Sequence, residues 1–202
     1  MALWIAPKPL ILASQSEVRR RILAAAGLPV EVRPAGIDER GIEARSDAHG
    51  PADVARVLAG AKAHTVAAQM PARLVLGADQ TLALGEQRFS KPVDRAAARE
   101  QLRALSGKTH RLYSAITLVR DGRVLFEHVD TEELTMRSLS DAFIDRYLDV
   151  VGEGALASVG GYQIESVGIH LFEKISGDYY AILGLPLLPL LDFLRKEGAV
   201  VG

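Results

Sequence analysis

The chain has 202 residues, of which 49% are hydrophobic and 24% are charged, and its formal net charge is −1. This composition is typical of a folded domain with a substantial core and excludes an intrinsically disordered chain. The small net charge and an aromatic content of 5% disfavour a nucleic-acid partner, because such proteins present basic surfaces and stacking platforms. The absence of cysteine excludes disulfides, thiolate catalysis and cysteine-ligated zinc.

Two segments bear on localisation. Residues 1–10 lack the charged-then-apolar layout of a signal peptide. The most apolar late segment, residues 181–194, contains Pro186, Pro189 and Asp192 and is too short to span a bilayer. We therefore expect a cytoplasmic protein with no membrane partner.

The first half of the chain alternates apolar runs with helical patterns. Leu10–Ala13 predicts a buried strand, and Ser16 is the expected N-cap of a helix that ends at Gly27. A second helix is predicted from about residue 51 to residue 69, followed by a strand over residues 74–84. The apolar periodicity predicts the buried face of this second helix: Val54, Val57, Leu58, Ala61, Thr65 and Ala68.

The second half contains further caps and turns. Asp94 and Ser140 are the expected N-caps of two more helices. Between these helices, Asp121-Gly122 predicts the turn of a β-hairpin. A glycine-rich stretch then leads to a second predicted hairpin that turns at residues 176–177, and a closing helix follows residues 184–186.

Helices alternate with strands early in the chain, whereas hairpins dominate later. This order predicts an α/β protein with a mixed sheet and flanking helices. We expect a single domain over residues 1–202, with a ligand cleft between two lobes.

Three arginines follow a serine-rich turn at the start of the first helix. Arg19, Arg20 and Arg21 lie in the first turn, where the helix dipole favours negative charge. A bound polyanion would remove this conflict, since free amides, hydroxyls and guanidinium groups bind phosphate oxygens. The alternative is a solvated basic face that pairs with acids such as Glu17. The spacing by itself does not separate the two interpretations.

Asp79 interrupts an apolar strand. A carboxylate there is costly to bury unless it is paired, hydrogen-bonded or bound to a metal. Its neighbours Gly77 and Ala78 leave room for a ligand to approach. The alternative is an aspartate at a strand end that caps a nearby loop.

Other charged residues complete the candidate site. The acidic pair Asp38-Glu39, on a loop after a short strand, could complete a magnesium site with Asp79. Lys62 and Lys91 are candidates for neutralising phosphate. Solvated loop acids and surface lysines are the ordinary alternatives for these four residues.

These segments, taken in order, resemble one family. They are LILASQSEVRR, GIDER, the lysine of GAKAH, LGADQTL, SKP, LSGKTH, GGYQIESVG and GLPL. Their order and spacing over nearly the whole chain are similar to those of the Maf family of nucleoside triphosphate pyrophosphatases, also called septum formation proteins.

The resemblance implies a fold, an activity and roles for individual residues. The fold is that of inosine triphosphate pyrophosphatases, and the activity is hydrolysis between the α and β phosphates. The resemblance also implies a homodimer and a divalent cation, Mg²⁺ or Mn²⁺, bound by Glu39 and Asp79. Asp79 matches the family's catalytic proton acceptor. The residues that match its substrate-contacting positions are Ser14, Arg19, Arg20, Lys62 and Lys91.

Three positions are associated with base preference in this family, and here they are Val18, Gln80 and Glu165. Gln80 and Glu165 match the branch that resembles 7-methyl-GTP pyrophosphatase, whereas Val18 replaces its tryptophan. We expect an enzyme that removes modified nucleotides such as 7-methyl-GTP. The alternative is a nucleotide-binding regulator of cell division.

Overall fold

A computed structural model of the chain describes residues 2–202, which form two compact units. The first unit comprises residues 2–80, 114–130 and 179–202, and the second comprises residues 81–113 and 131–178. Leu10, Leu12, Leu76 and Ile116 are among the buried residues at the centre of the first unit.

Among residues 2–202, seven strands form a sheet in the order β2–β1–β3–β5–β6–β7, with β4 paired to β3. β1 is parallel to both β2 and β3, whereas β3–β4 and β6–β7 are antiparallel, so the predicted mixed sheet is confirmed. The strands are β1 Leu10–Leu12, β2 Val30–Val32, β3 Val75–Leu84, β4 Gln87–Phe89, β5 Thr109–Arg120, β6 Arg123–Met136 and β7 Phe172–Ser176.

The predicted helices are present, and their N-caps are confirmed. Ser16, Asp94 and Ser140 each accept a hydrogen bond from a backbone amide three residues later. No helix within residues 2–202 has both the length and the hydrophobicity to cross a bilayer. The α-helices are α1 Glu17–Ala25, α2 Glu39–Arg45, α3 Pro51–Ala67, α4 Arg95–Leu105, α5 Asp141–Val151, α6 Tyr179–Ile182 and α7 Leu187–Lys196. The 3₁₀ helices are Gly152–Leu156, Val159–Gly161 and Val167–Leu171.

One hairpin prediction is confirmed and the other is wrong. Asp121 and Gly122 both have positive φ, as a tight turn between β5 and β6 requires. At Gly177 the φ angle is 133°, and the chain turns into α6 instead of returning as a strand. A Cβ atom on Gly177 would lie 2.4 Å from Cγ of Glu132, so only glycine fits this turn.

The packing of α3 on β3 corrects the predicted helix face. The buried face carries several alanines: Val54, Ala55, Leu58, Ala59, Ala63, Val66 and Ala67. A Cβ atom on Gly77 of β3 would lie 2.0 Å from the Ala59 carbonyl oxygen and 2.7 Å from the Ala63 amide nitrogen. Gly77 therefore makes room for the backbone of α3, and not for a ligand as predicted from the sequence. This close contact also brings Lys62 of α3 next to β3.

The second unit contains a buried histidine. His110 on β5 is fully buried, and its Nε2 atom lies 2.7 Å from the hydroxyl oxygen of Tyr162. Its Nδ1 atom is buried and has no hydrogen-bond partner among residues 2–202. Burial lowers the pKa of His110 from 6.5 to about 4, because the imidazolium ion would lose its hydration there.

We expect the stability of the protein to fall as the pH decreases from about 6.5 to about 4. The unfolded chain binds a proton at His110 in this range and the folded chain does not, so acid favours unfolding by up to about 3 kcal/mol. Urea unfolding at pH 7 and pH 4.5 measures this change. His110→Gln should flatten the pH dependence, whereas His64→Gln, at an exposed position on α3, should leave it unchanged. An equally steep acid loss in His110→Gln would contradict the assignment.

Candidate functional site

The candidate site lies in the first unit, around Asp79 on β3. Asp79 is only 8% exposed, and Lys62 Nζ donates a 2.6 Å hydrogen bond to its Oδ1 atom. The same Lys62 Nζ lies 2.7 Å from Oε1 of Glu39, at the start of α2. One ammonium group therefore bridges two carboxylates that are 40 residues apart in the sequence.

The acidic pair at residues 38–39 differs from the expected loop. Asp38 is the N-cap of α2, and its Oδ1 atom accepts a 3.0 Å hydrogen bond from the Gly41 amide. Glu39 is the first residue of that helix and contacts Lys62. Asp38 is thus a structural cap, and Glu39 is the member of the pair that reaches the candidate site.

Burial raises the pKa of the Asp79 carboxyl group above its ordinary value, because the charged form loses hydration. The positive charges of Lys62 and Arg19 act in the opposite direction without cancelling this effect. A raised pKa makes the carboxylate a stronger base than an exposed aspartate. Such a group is suited to accept a proton near neutral pH.

Arg19 binds backbone on two sides of the site. Its Nε atom donates to the Gly184 carbonyl oxygen at 2.7 Å, and Nη1 donates to the Ala78 carbonyl oxygen at 2.9 Å. Nη1 also lies 3.2 Å from Oγ of Ser14. These bonds use the Nε and Nη1 donors, so Nη2 is the part of the guanidinium group left for an anion. Arg19 consequently holds the loop at Gly184 against the strand that carries Asp79.

Arg19 is buried, although three arginines were expected to share one environment. Burial lowers the pKa of Arg19, and the carboxylates of Asp79 and Glu39 oppose that shift. The guanidinium group remains a cation at neutral pH because its ordinary pKa is so high. Arg19 and Lys62 therefore balance the two carboxylates of the site.

Arg20 lies in a different environment from that of Arg19. Its guanidinium group is exposed and forms two hydrogen bonds with Glu17 on the same helix. Arg21 is exposed as well. This arrangement is the solvated basic face that was the alternative interpretation of the arginine cluster, and the phosphate contact of Arg20 stays a prediction.

Gln80 is hydrogen-bonded to α6 both directly and through Ser114, which was not among the predicted site residues. Gln80 Nε2 donates to Ser114 Oγ at 2.8 Å and lies 3.2 Å and 3.0 Å from the carbonyl oxygens of Ala181 and Ile182. Ser114 Oγ in turn donates to the Ala181 carbonyl oxygen at 2.6 Å. In the sequence, the one feature that distinguishes Ser114 is a hydroxyl group within an otherwise apolar part of the strand. The Gln80 amide nitrogen is therefore held by protein acceptors.

Three further candidates are Val18, Lys91 and Glu165. Val18 is half-buried and packs against the core of the first unit. Lys91 and Glu165 are exposed residues of the second unit, in the loop after β4 and in the turn before the last 3₁₀ helix. The structure brings together Ser14, Arg19, Glu39, Lys62 and Asp79, whereas the Gln80 side chain bonds to Ser114 and α6. The substrate and specificity roles of all these residues stay predictions.

The carboxylates at the site are compatible with a divalent cation. Within residues 2–202 no group of three or more histidine, aspartate and glutamate side chains is placed to hold a metal ion. Mg²⁺ needs only one or two carboxylates, because phosphate oxygens and water complete its coordination. Glu39 and Asp79, which contact the same ammonium group, satisfy that requirement.

Comparisons with known proteins identify the family of the chain. The family model described as Maf-like protein matches residues 9–197. A nucleoside triphosphate pyrophosphatase of Rhodopseudomonas palustris is 56% identical over 98% of both chains. A 7-methyl-GTP pyrophosphatase of Rhizobium etli is 58% identical, over 96% of this chain and 98% of its own.

A solved structure of a HAM1 protein from Coxiella burnetii aligns with 63% of this chain and 72% of its own, at a TM-score of 0.41 and 14% identity. The family match covers almost the whole length, and relatives are more than half identical over nearly all of both chains. The protein belongs to the Maf family.

Proposed function

We propose that the protein hydrolyses nucleoside triphosphates between the α and β phosphates, producing a nucleoside monophosphate and pyrophosphate. The observation that carries this proposal is the buried Asp79 carboxylate, held on β3 between Lys62 and Arg19. Relatives 53% to 58% identical are named nucleoside triphosphate pyrophosphatase or 7-methyl-GTP pyrophosphatase. No observation on residues 2–202 favours the regulatory alternative.

In the proposed reaction Asp79 accepts a proton from the attacking water. The water oxygen forms a bond to the α phosphorus, and the bond from this phosphorus to the bridging oxygen breaks. Pyrophosphate leaves with the electron pair of that bond. Lys62 and the Nη2 group of Arg19 stabilise the negative charge that develops on the phosphates. The raised pKa of Asp79 supports its role as the base.

Glu39 and Asp79 are the residues that would hold Mg²⁺ or Mn²⁺. When bound, the cation supplies Lewis-acid polarisation of the phosphoryl group. The presence of the cation and the homodimer are parts of the proposal supported by the family resemblance, and a cytoplasmic location is supported by the absence of cysteine. The activity after metal removal with EDTA tests the requirement for the cation. Sedimentation velocity tests the homodimer.

For the base, we propose a guanine-type ring with exposed N–H donors. The carboxylate of Glu165 can accept from guanine N1–H and N2–H. Val18 supplies no aromatic ring, so it offers no stacking partner for the cationic ring of 7-methylguanine. We therefore expect guanine recognition through acceptors, with the methylated ring as one substrate among several.

A panel of canonical and modified triphosphates, assayed for pyrophosphate release with Mg²⁺ or Mn²⁺, tests the activity and the base preference. We expect GTP or 7-methyl-GTP to give the highest kcat/KM. Glu165→Gln should reduce the preference for guanine over a pyrimidine roughly tenfold or more, because the amide places a donor against N–H groups. Glu173→Gln, at an exposed position on β7, is the matched control. Absence of pyrophosphate with every substrate would overturn the activity, and an unchanged preference in Glu165→Gln would overturn only the role of that residue.

A further inference from the structure

Lys62 occupies an unusual place for a phosphate-binding lysine. Its ammonium group contacts Asp79 at 2.6 Å and Glu39 at 2.7 Å, the two carboxylates that suit a divalent cation. The lysine side chain is 13% exposed and that of Asp79 is 11% exposed, so the contact is shielded from solvent. The lysine therefore contacts one oxygen of each carboxylate that would hold a metal ion.

The net charge of the site also disfavours binding of a dication without a nucleotide. Glu39 and Asp79 contribute two negative charges, and Lys62 and Arg19 contribute two positive charges, so these four groups sum to zero. A dication that enters such a cluster gains little attraction, and it must compete with an ammonium group already in contact with both carboxylates. A triphosphate changes the balance, because its oxygens attract Lys62 away from the carboxylates and also coordinate the cation.

We propose that the Lys62 ammonium group stands in for the divalent cation between Glu39 and Asp79 until a triphosphate binds, so that the free protein binds the cation weakly. On nucleotide binding Lys62 would move from the carboxylates to the phosphates, which would leave Glu39 and Asp79 to hold the cation. This inference rests on the proposed function for its nucleotide step alone. Its central claim, that Lys62 blocks cation binding, concerns the protein without nucleotide.

Mn²⁺ binding to the nucleotide-free protein, measured from the electron paramagnetic resonance signal of free Mn²⁺, tests the claim. We expect Lys62→Gln to bind Mn²⁺ at least about tenfold more tightly than the wild type, since it removes the competing charge. Lys62→Arg keeps a cation at this position and should bind Mn²⁺ as weakly as the wild type. Lys196→Gln removes a lysine that pairs with Asp192 at an exposed site, 2.6 Å apart, and should leave the affinity unchanged.

A folded Lys62→Gln protein with the same or weaker Mn²⁺ affinity than the wild type would overturn the proposal. Should Lys62→Gln be too unstable for this titration, the Mn²⁺-dependent rise in its Tm replaces it. We expect a larger rise than in the wild type, and an equal or smaller rise would contradict the proposal. Failure of the wild type to release pyrophosphate would count against the proposed function. The Mn²⁺ measurements are made without nucleotide, so they test the role of Lys62 independently of that function.

Discussion

Replacement of Asp79 by asparagine is expected to lower kcat/KM for pyrophosphate release at least about a hundredfold, the usual contribution of a positioned acid–base group. Asparagine has nearly the shape of aspartate but cannot accept the proton of the attacking water. It also removes one carboxylate from Lys62, which retains Glu39 at 2.7 Å. Steady-state kinetics with the best substrate of the panel measure the loss.

The matched control is Asp192→Asn, at an exposed position that pairs with Lys196. This variant should keep the wild-type rate. Because burial raises the pKa of Asp79, the activity of the wild type should decline in acid at a pH above the ordinary range of an aspartate. Asp79→Asn should lose this acid decline along with most of its rate. A near-wild-type rate in Asp79→Asn would exclude the carboxylate from proton transfer.

Replacement of Gly77 by alanine is expected to lower the free energy of unfolding by about 3 kcal/mol, which is a large effect for one added methyl group. The new Cβ atom would lie 2.0 Å from the Ala59 carbonyl oxygen, which is backbone and cannot rotate away. α3 must therefore move away from β3. Since Lys62 lies on α3, this displacement should also weaken its contact with Asp79 and reduce activity. Urea unfolding and the pyrophosphate assay measure the two effects.

Gly60→Ala, on α3, is the control for Gly77→Ala. A Cβ atom on Gly60 would have its nearest neighbours at 3.9 Å, so the methyl group fits without displacement. Alanine is also favoured over glycine within a helix by about 0.5–1 kcal/mol. We expect Gly60→Ala to be as stable as the wild type or more stable. Equal stability of Gly77→Ala and the wild type would show that the α3–β3 contact is looser than described.

Helix caps and tight turns of this protein could be predicted from the sequence because they depend on interactions between residues close together in the chain. Ser16, Asp94 and Ser140 cap helices through amides three residues away, and Asp121-Gly122 makes a tight turn by its own backbone geometry. Asp79 stood out for a similar reason, since a carboxylate within an apolar strand is costly wherever that strand packs. The second hairpin prediction was wrong because glycine after Ser176 indicates a turn but not which element follows it, and here the chain enters α6.

The sequence by itself determined the mixed α/β class, the starts of the three helices capped by Ser16, Asp94 and Ser140, and the family, because periodicity, capping and motif order are properties of the chain. Only the tertiary structure separated Arg19, which is buried against backbone carbonyls, from Arg20, which pairs with Glu17 in solvent. It also assigned Gly77 to helix packing and placed Lys62 between Glu39 and Asp79. These outcomes depend on which distant groups meet in space, and desolvation and pairing at such contacts decide whether a charged residue is a surface feature or part of a site.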